Sequence, residues 1–311
     1  MTADLDIHPA SPDELIAAHR NVFDIWSKGL SLEEHLRYRL DSPSHRRATW
    51  FVGCVAGQVV ASLGCYPLDF RLAGEKVPGI AIGSVYTLAE FRGRGYAPQL
   101  LNWVEQTSHD KNAELSVLYS DIDPGYYARL GYTLCPSWAG WCNPREAAPP
   151  ASEYQLMPVS PLEQLPMLMV LYDNYHGAMP LSVAREEEYW RALLKKYPDD
   201  QFYLFDGPHG RSQGYVRVGR KDATWRITDF ALADRSEERA GQLYAALVGL
   251  AREHQVARLG GWLPEGPAAR DYFAIAPRRA EITMIKPLGE QRSLSGEAIA
   301  AASWFCEIDH V

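Results

Sequence analysis

Apolar and polar positions along the chain come in two similar rounds. Trp50 to Leu63 reads as an apolar strand, a Gly turn and a second apolar strand, and Phe202 to Val218 repeats that pattern. An acidic helical stretch precedes each hairpin, Glu33 to Leu40 in the first round and Glu186 to Leu194 in the second. Earlier still, Pro9, Ser11 and Pro12 open a helical segment, and Pro158, Ser160 and Pro161 repeat them. The order predicts a duplicated unit of mixed helices and strands, an α+β fold. Asn143 to Ser152 is rich in Pro and Ala and poor in strand formers, so the expected units are 1–145 and 153–290. Residues 291–311 then form a tail whose apolar run, Ala298 to Phe305, predicts that it packs onto the body.

The segment from Gly79 to Tyr132 is the most sharply patterned. Ile80 to Leu88 is a continuous apolar and β-branched run, fit for a central strand, with Gly83 allowing a bulge or a close approach. Arg92-Gly93-Arg94-Gly95-Tyr96-Ala97 follows, then Pro98 and a helical face of Leu100, Leu101 and Val104. Small residues at a helix start let backbone amides converge on an anion, and the two arginines add positive charge, so this is an expected diphosphate cradle. Leu115 to Tyr119 is the next strand, and Tyr126 to Leu130 a short helix closed by Gly131. In the second round the strand Trp225 to Leu232 leads into Asp234-Arg235-Ser236-Glu237-Glu238, with acids where phosphates need donors. The stripe Leu243, Leu247, Leu250 and Ala251 behind it reads as core.

Composition narrows the classes of function. With 47% hydrophobic and 23% charged residues among 311, the chain is a packed globule and not a disordered one. Its 31 basic and 39 acidic residues give a net charge of −8, the wrong sign for holding nucleic acid. Cys54, Cys65, Cys135, Cys142 and Cys306 are odd in number and unpaired in spacing, which predicts neither a disulfide framework nor a metal site. No export signal or membrane segment is read from the sequence, so a cytoplasmic protein without membrane partners is expected.

Arg92, Gly95 and Ala97 fall on the R/Q-x-x-G-x-G/A loop that follows a central strand, and Tyr127 stands four residues before Gly131. In both features the segment resembles the GNAT superfamily of acyl-CoA-dependent N-acyltransferases. The resemblance implies the GNAT fold and acetyl-CoA as acyl donor. Arg92, Gly93, Arg94, Gly95, Tyr96 and Ala97 would hold the diphosphate. Val85, Tyr86 and Thr87 would bond the pantetheine along a free strand edge. Tyr127 would protonate the leaving thiolate, its neighbour Tyr126 being the competitor. No metal or nucleophilic serine is needed. Ile80 to Leu88 lacks the Glu that some members use as base. The base is then a water relay, Asp121 or Asp123, or a carboxylate brought from elsewhere.

Two-unit GNAT proteins of the intracellular-survival type also carry a second, GNAT-like unit, and in them the terminal carboxylate enters the site. That resemblance makes Asp309 and Val311 candidates for contact with the acceptor, and the second unit a degenerate one that completes the acceptor pocket. A local likeness to fungal lysine N-acetyltransferases lies in the Phe-Arg-Gly-Arg-Gly-Tyr-Ala loop and the Tyr-Ser-Asp-Ile turn. It makes Asp121 and Asp123 further candidates for contact with the acceptor, at an α-amino or second amino group, unless they merely cap the 126–130 helix. The expected reaction is acetyl transfer, by direct attack in a ternary complex, to the primary amine of a small cationic metabolite, lysine-like or polyamine-like. A protein-lysine or N-terminal acetyltransferase and a non-catalytic acyl-CoA-binding regulator are the alternatives. A monomer or a homodimer is expected, the monomer being favoured because tandem units can satisfy the dimer interface internally.

Overall fold

The structure is a computed structural model and describes residues 4–146, 154–207, 212–289 and 292–311. Ala147 to Ser152 of the expected linker lie outside the described residues, as do positions 153, 290 and 291 at the expected unit limits. The first half runs β1 (Asp6–Pro9), α1 (Pro12–Asn21), α2 (Phe23–Trp26), α3 (Leu32–Asp41), β2 (Thr49–Val55), β3 (Gln58–Pro67), β4 (Phe70–Leu72), β5 (Glu75–Val77), β6 (Gly79–Thr87), α4 (Tyr96–His109), β7 (Leu115–Ser120), α5 (Gly125–Ala128), β8 (Thr133–Leu134) and β9 (Trp138–Cys142). The second half runs β10 (Gln155–Val159), α6 (Leu165–His176), β11 (Leu181–Val183), α7 (Glu187–Lys196), β12 (Gln201–Asp206), β13 (Ser212–Lys221), β14 (Thr224–Leu232), α8 (Glu237–Glu253), β15 (Arg258–Gly261), α9 (Pro267–Tyr272), β16 (Ala274–Pro277), β17 (Ile282–Pro287) and α10 (Gly296–Ala301).

Local chemistry sets the element ends. Ser11 and Glu14 cap α1 reciprocally, as Ser31 and Glu34 cap α3, so the orphan amides of both first turns are satisfied by side chains. Strand β6 is buried on both faces over its first five residues, consistent with its unbroken apolar run.

Two seven-stranded sheets repeat one order: β1-β2-β3-β6-β7-β17-β8 and β10-β12-β13-β14-β15-β9-β16. Each contains a single parallel pair, β6 with β7 and β14 with β15. Each also borrows one strand from the other half. Strand β17 lies antiparallel between β7 and β8, while β9 lies antiparallel between β15 and β16. The limits 1–145 and 153–290 therefore do not follow the sheets, because the last strand of each half belongs to the other's sheet. Gly260 makes room for the β9 seam, since a Cβ there would collide with the Gly140 carbonyl. A small third sheet, β11-β4-β5, joins the halves again.

The core is shared accordingly. One cluster packs Tyr66 and Phe70 of the first half against Trp190 and Tyr215 of the second and Phe305 and Ile308 of the tail. A second cluster, under the first sheet, joins Leu63, Leu100, Leu101, Val104 and Tyr132 to Met284 of the borrowed strand. Burying Phe305 and Ile308, 5% and 1% exposed, stabilises the docked tail by about 1.5–3 kcal/mol each.

Candidate active site

Strand β6 pairs with β7 only as far as Ile82 and Leu118. Beyond that point β6 keeps β3 as its neighbour, through Gly83 to Gly64, Tyr86 to Ser62 and Thr87 to Ala61, with a bulge between. Ser84 sits at the bulge with a φ of 53°, a left-handed conformation that few non-glycine residues adopt. The half of β6 that carries Val85, Tyr86 and Thr87 is thus half-buried and bordered by a strand on one side only. Thr87 Oγ1 is buried with no hydrogen-bond partner. A one-sided strand can receive the amides of an extended chain as it would another strand.

The glycine turn lies beside this opening. Gly93 and Gly95 have φ values of 76° and 79°, and Gly95 caps α4 without any side chain closing the first turn. A Cβ at Gly93 would meet nothing within 4 Å, and one at Gly95 only Gln99 Nε2 at 3.7 Å, so the space before the helix start is open. The first turn, without a side-chain cap, and the positive end of a 14-residue helix point at that space. Arg92 donates from Nε to Thr87 O and lies over Tyr86, while Arg94 donates to Glu90 O and lies over Phe91. Both arginines are exposed and flank the turn. Tyr96 is different: its ring is 2% exposed and packs in the core, so only its backbone borders the cradle. An orphaned Thr87 hydroxyl, a one-sided strand and an open glycine turn together fit an acyl-CoA.

Tyr127 projects from α5 into the first-unit core with 8% exposure, T-shaped against Tyr126 and Tyr132. Burial, reinforced by Tyr126 and the nearby Asp121 carboxylate, pushes its phenol up to about 12, so it stays protonated throughout the neutral range. Asp121 and Asp123 are exposed and already engaged. Asp121 accepts from the Glu281 amide at 2.9 Å, and Asp123 from the Gly125 amide at 3.0 Å, where it closes the start of α5.

The tail corrects one expectation outright. Asp309 does not face an acceptor: its side chain has no exposure, and both oxygens are taken. Arg185 reaches them as a fork, Nε to Oδ1 at 3.1 Å and Nη2 to Oδ2 at 2.7 Å, and the Tyr189 hydroxyl adds 3.1 Å to Oδ1. A carboxylate so enclosed is an anchor and not a ligand. Val311 arrives elsewhere, at the β6 opening. Its main-chain oxygen and Cγ2 lie 3.2 Å from the point where a Gly83 Cβ would stand, so Gly83 is what lets the tail come this close. His310 stacks edge-on against Tyr119, just past the last β6–β7 pair, at 5.0 Å, and against Trp262 at 5.8 Å. Burial and the cations Lys196, Arg278, Arg226 and Lys28 lower its imidazole to about 3, leaving it neutral.

Sequence reasoning missed Arg185, Tyr189, Lys196, Tyr119 and Trp262. Lys196 holds the carbonyls of Ile308, at 3.0 Å, and His310, and burial brings its ammonium down to about 8. The carboxylates expected to meet the acceptor are engaged otherwise: Asp121 holds the Glu281 amide, Asp123 closes the start of α5, Asp309 is paired with Arg185, and Lys196 flanks the tail.

Fold and site geometry together fit an acyl-CoA-dependent N-acyltransferase. More narrowly, residues 7–135, which hold the open strand and the glycine turn, match the family model described as an acetyltransferase (GNAT) domain, so the first half carries a domain of that family. No curated protein matches the chain. Among solved structures, a probable N-acyltransferase from Enterococcus faecalis superposes with a TM-score of 0.72 at 14% identity, over 92% of this chain and 72% of that one. Eis1 from Mycobacterium abscessus gives 0.60 at 19% identity, over 92% and 74%. N-myristoyltransferase from Saccharomyces cerevisiae, with myristoyl-CoA bound, gives 0.59 at 10% identity, over 92% and 79%. At these identities the likeness is one of fold, and it extends through both halves. Among the described residues, no helix is long and apolar enough to cross a membrane.

Proposed function

We propose that the protein transfers acetyl from acetyl-CoA to the primary amine of a small metabolite with an apolar body, in a single direct attack. The observation that carries the reading is the pairing of an open glycine turn with the one-sided half of β6. The turn would hold the diphosphate, and the strand would align the pantetheine and thioester. Amides along β6 stabilise the oxyanion that forms as the amine adds to the thioester carbon. The amine attacks in its neutral form, having passed one proton to water. The carbon–sulfur bond then breaks, the thiolate leaves with the electron pair, and the second proton that the nitrogen sheds as the amide forms passes through water to the thiolate. Tyr127 hydrogen-bonds the thiolate. A phenol held near 12 does not surrender its proton to a free thiolate of pKa about 8.5, but the same desolvation raises a thiolate lodged in the slot, which narrows the gap.

A small acceptor is favoured over a protein segment because the tail and the second half close in on the opening, with Val311 beside Gly83 of β6 and His310 against Tyr119 and Trp262. With the three expected carboxylates engaged, an ammonium would rest on aromatic faces and main-chain oxygens, including that of Val311. A thiol-release assay across diamines, amino acids, aryl-alkyl amines and lysine peptides tests this. Turnover confined to small amines is expected. Release only with peptides would move the reading to a protein acetyltransferase, and acetyl-CoA binding without release on any amine would leave a regulator.

A further inference from the structure

The tail does two things that no motif announces. In the second sheet the parallel pair β14–β15 ends at Ile227 and Gly261, the place corresponding to the end of β6–β7 in the first. Where the first unit is open, the second is filled by the chain itself. Ser303 to Cys306 pack there against Ile227 to Phe230 and Trp262, around a void of only about 10 Å³, and Glu307 accepts from Arg226 Nε at 2.8 Å. The same segment then crosses to the first unit and ends against Gly83.

What fixes that crossing is a buried charge cluster. Arg185 donates to Asp309 twice and, through Nη1, to Asp229 Oδ2 at 2.6 Å, and Tyr215 donates to the same oxygen at 3.0 Å. The Arg185 and Asp309 side chains are both fully buried, and the guanidinium lies over Tyr172 at 3.9 Å. A two-point fork sets direction as well as distance, unlike a point charge. Lys196 holds the carbonyls on either side of Asp309. From Asp309 to Val311 the chain can reach no more than about 7 Å, so the anchor decides where His310 and Val311 stand.

We propose that Arg185 is a positioning residue for acyl transfer: through Asp309 it fixes His310 and Val311 as the acceptor-side wall of the first unit's opening. This rests on the acyl-transfer reading above. Asp309→Asn is the informative variant, since it leaves the Arg185 guanidinium paired one to one with Asp229. Leu247→Ala, which opens a cavity under α8 and leaves the Arg185–Asp309 fork intact, serves as a destabilised control.

Two measurements separate the ideas. Amide hydrogen exchange should show residues 306–311 and the end of β6 losing protection in Asp309→Asn but keeping it, relative to global stability, in Leu247→Ala. In kinetics, kcat/KM for the best amine should fall about 10- to 100-fold in Asp309→Asn, because ångström-scale misplacement at a reacting centre has effects of that size. The ranking of amines should change, and acetyl-CoA affinity should hold within about twofold. Unaltered exchange in Asp309→Asn, or released exchange with unaltered amine kinetics and ranking, overturns the proposal. Should the parent acetylate no amine, the functional reading fails, and exchange alone then decides whether the anchor holds the tail.

Discussion

Helices α4 and α8 follow the corresponding strands of two sheets with the same order, yet their first turns are completed in opposite ways. At α4 two left-handed glycines leave the amides uncapped by side chains and the space before them open. At α8 the chain supplies its own anions. Ser236 Oγ accepts from the Arg239 amide at 3.2 Å, and Asp234 accepts from the Ser236 amide at 3.0 Å while pairing with the Arg239 guanidinium. Glu237 reaches across to the Ala268 amide and closes the start of α9. The helix-start field is the same in both places. What differs is whether it is left for a foreign phosphate or neutralised internally, and a handful of residues decides that.

The harshest way to break this contrast is to put a carboxylate into the open turn. Gly95→Glu strains a position at φ 79° and sets a negative charge against the expected diphosphate. Like charges about 4 Å apart repel by about 4 kcal/mol at an intermediate dielectric, so acetyl-CoA affinity should fall by at least about 100-fold. Calorimetry of the parent should give one acetyl-CoA per chain, and none for the variant. Two per chain, or an unweakened variant, would mean that the two helix starts are not opposites.

What the sequence made legible is what short spacing encodes. The apolar run of β6, the glycine turn and Tyr127 lie within about 50 residues and keep their relation in any fold that puts a helix after that strand. Acidic residues at Asp234 to Glu238 were legible for the same reason. The strand exchange was not, because β9 and β17 look like ordinary last strands, and periodicity does not say whose sheet a strand enters. Nor was the anchor: Arg185 and Asp309 are 124 residues apart, and no local spacing pairs them. Asp123 shows the limit within a turn, since an acid there serves equally for capping and for ligand contact.

A smaller effect sharpens the catalytic half of the comparison. Tyr127→Phe keeps the packing against Tyr126 and Tyr132 and removes one proton, so kcat should fall by about 10²–10⁴-fold with acetyl-CoA affinity nearly unchanged. Tyr126→Phe should leave kcat close to that of the parent. The reverse outcome would assign the thiolate's partner to the wrong ring.

The mildest variant tests the closed turn itself. Ser236→Ala removes the hydroxyl that accepts from the Arg239 amide, a cap of the kind that contributes about 1 kcal/mol. Asp234 still faces the turn, and its carboxyl is held below the ordinary value chiefly by its bond from the Ser236 hydroxyl, which the variant also removes. Asp234 is largely solvated, so screening keeps that second loss small. The expected result is a fall in Tm of about 2–4 °C, as about 1 kcal/mol gives in a chain of this size or somewhat smaller. Acetyl-CoA affinity and amine turnover should not move, because α8 serves its own sheet and not the cofactor. A changed Kd for acetyl-CoA in Ser236→Ala would show that opening this turn creates or couples to a phosphate site, and the second helix start would then differ from the first in occupancy alone.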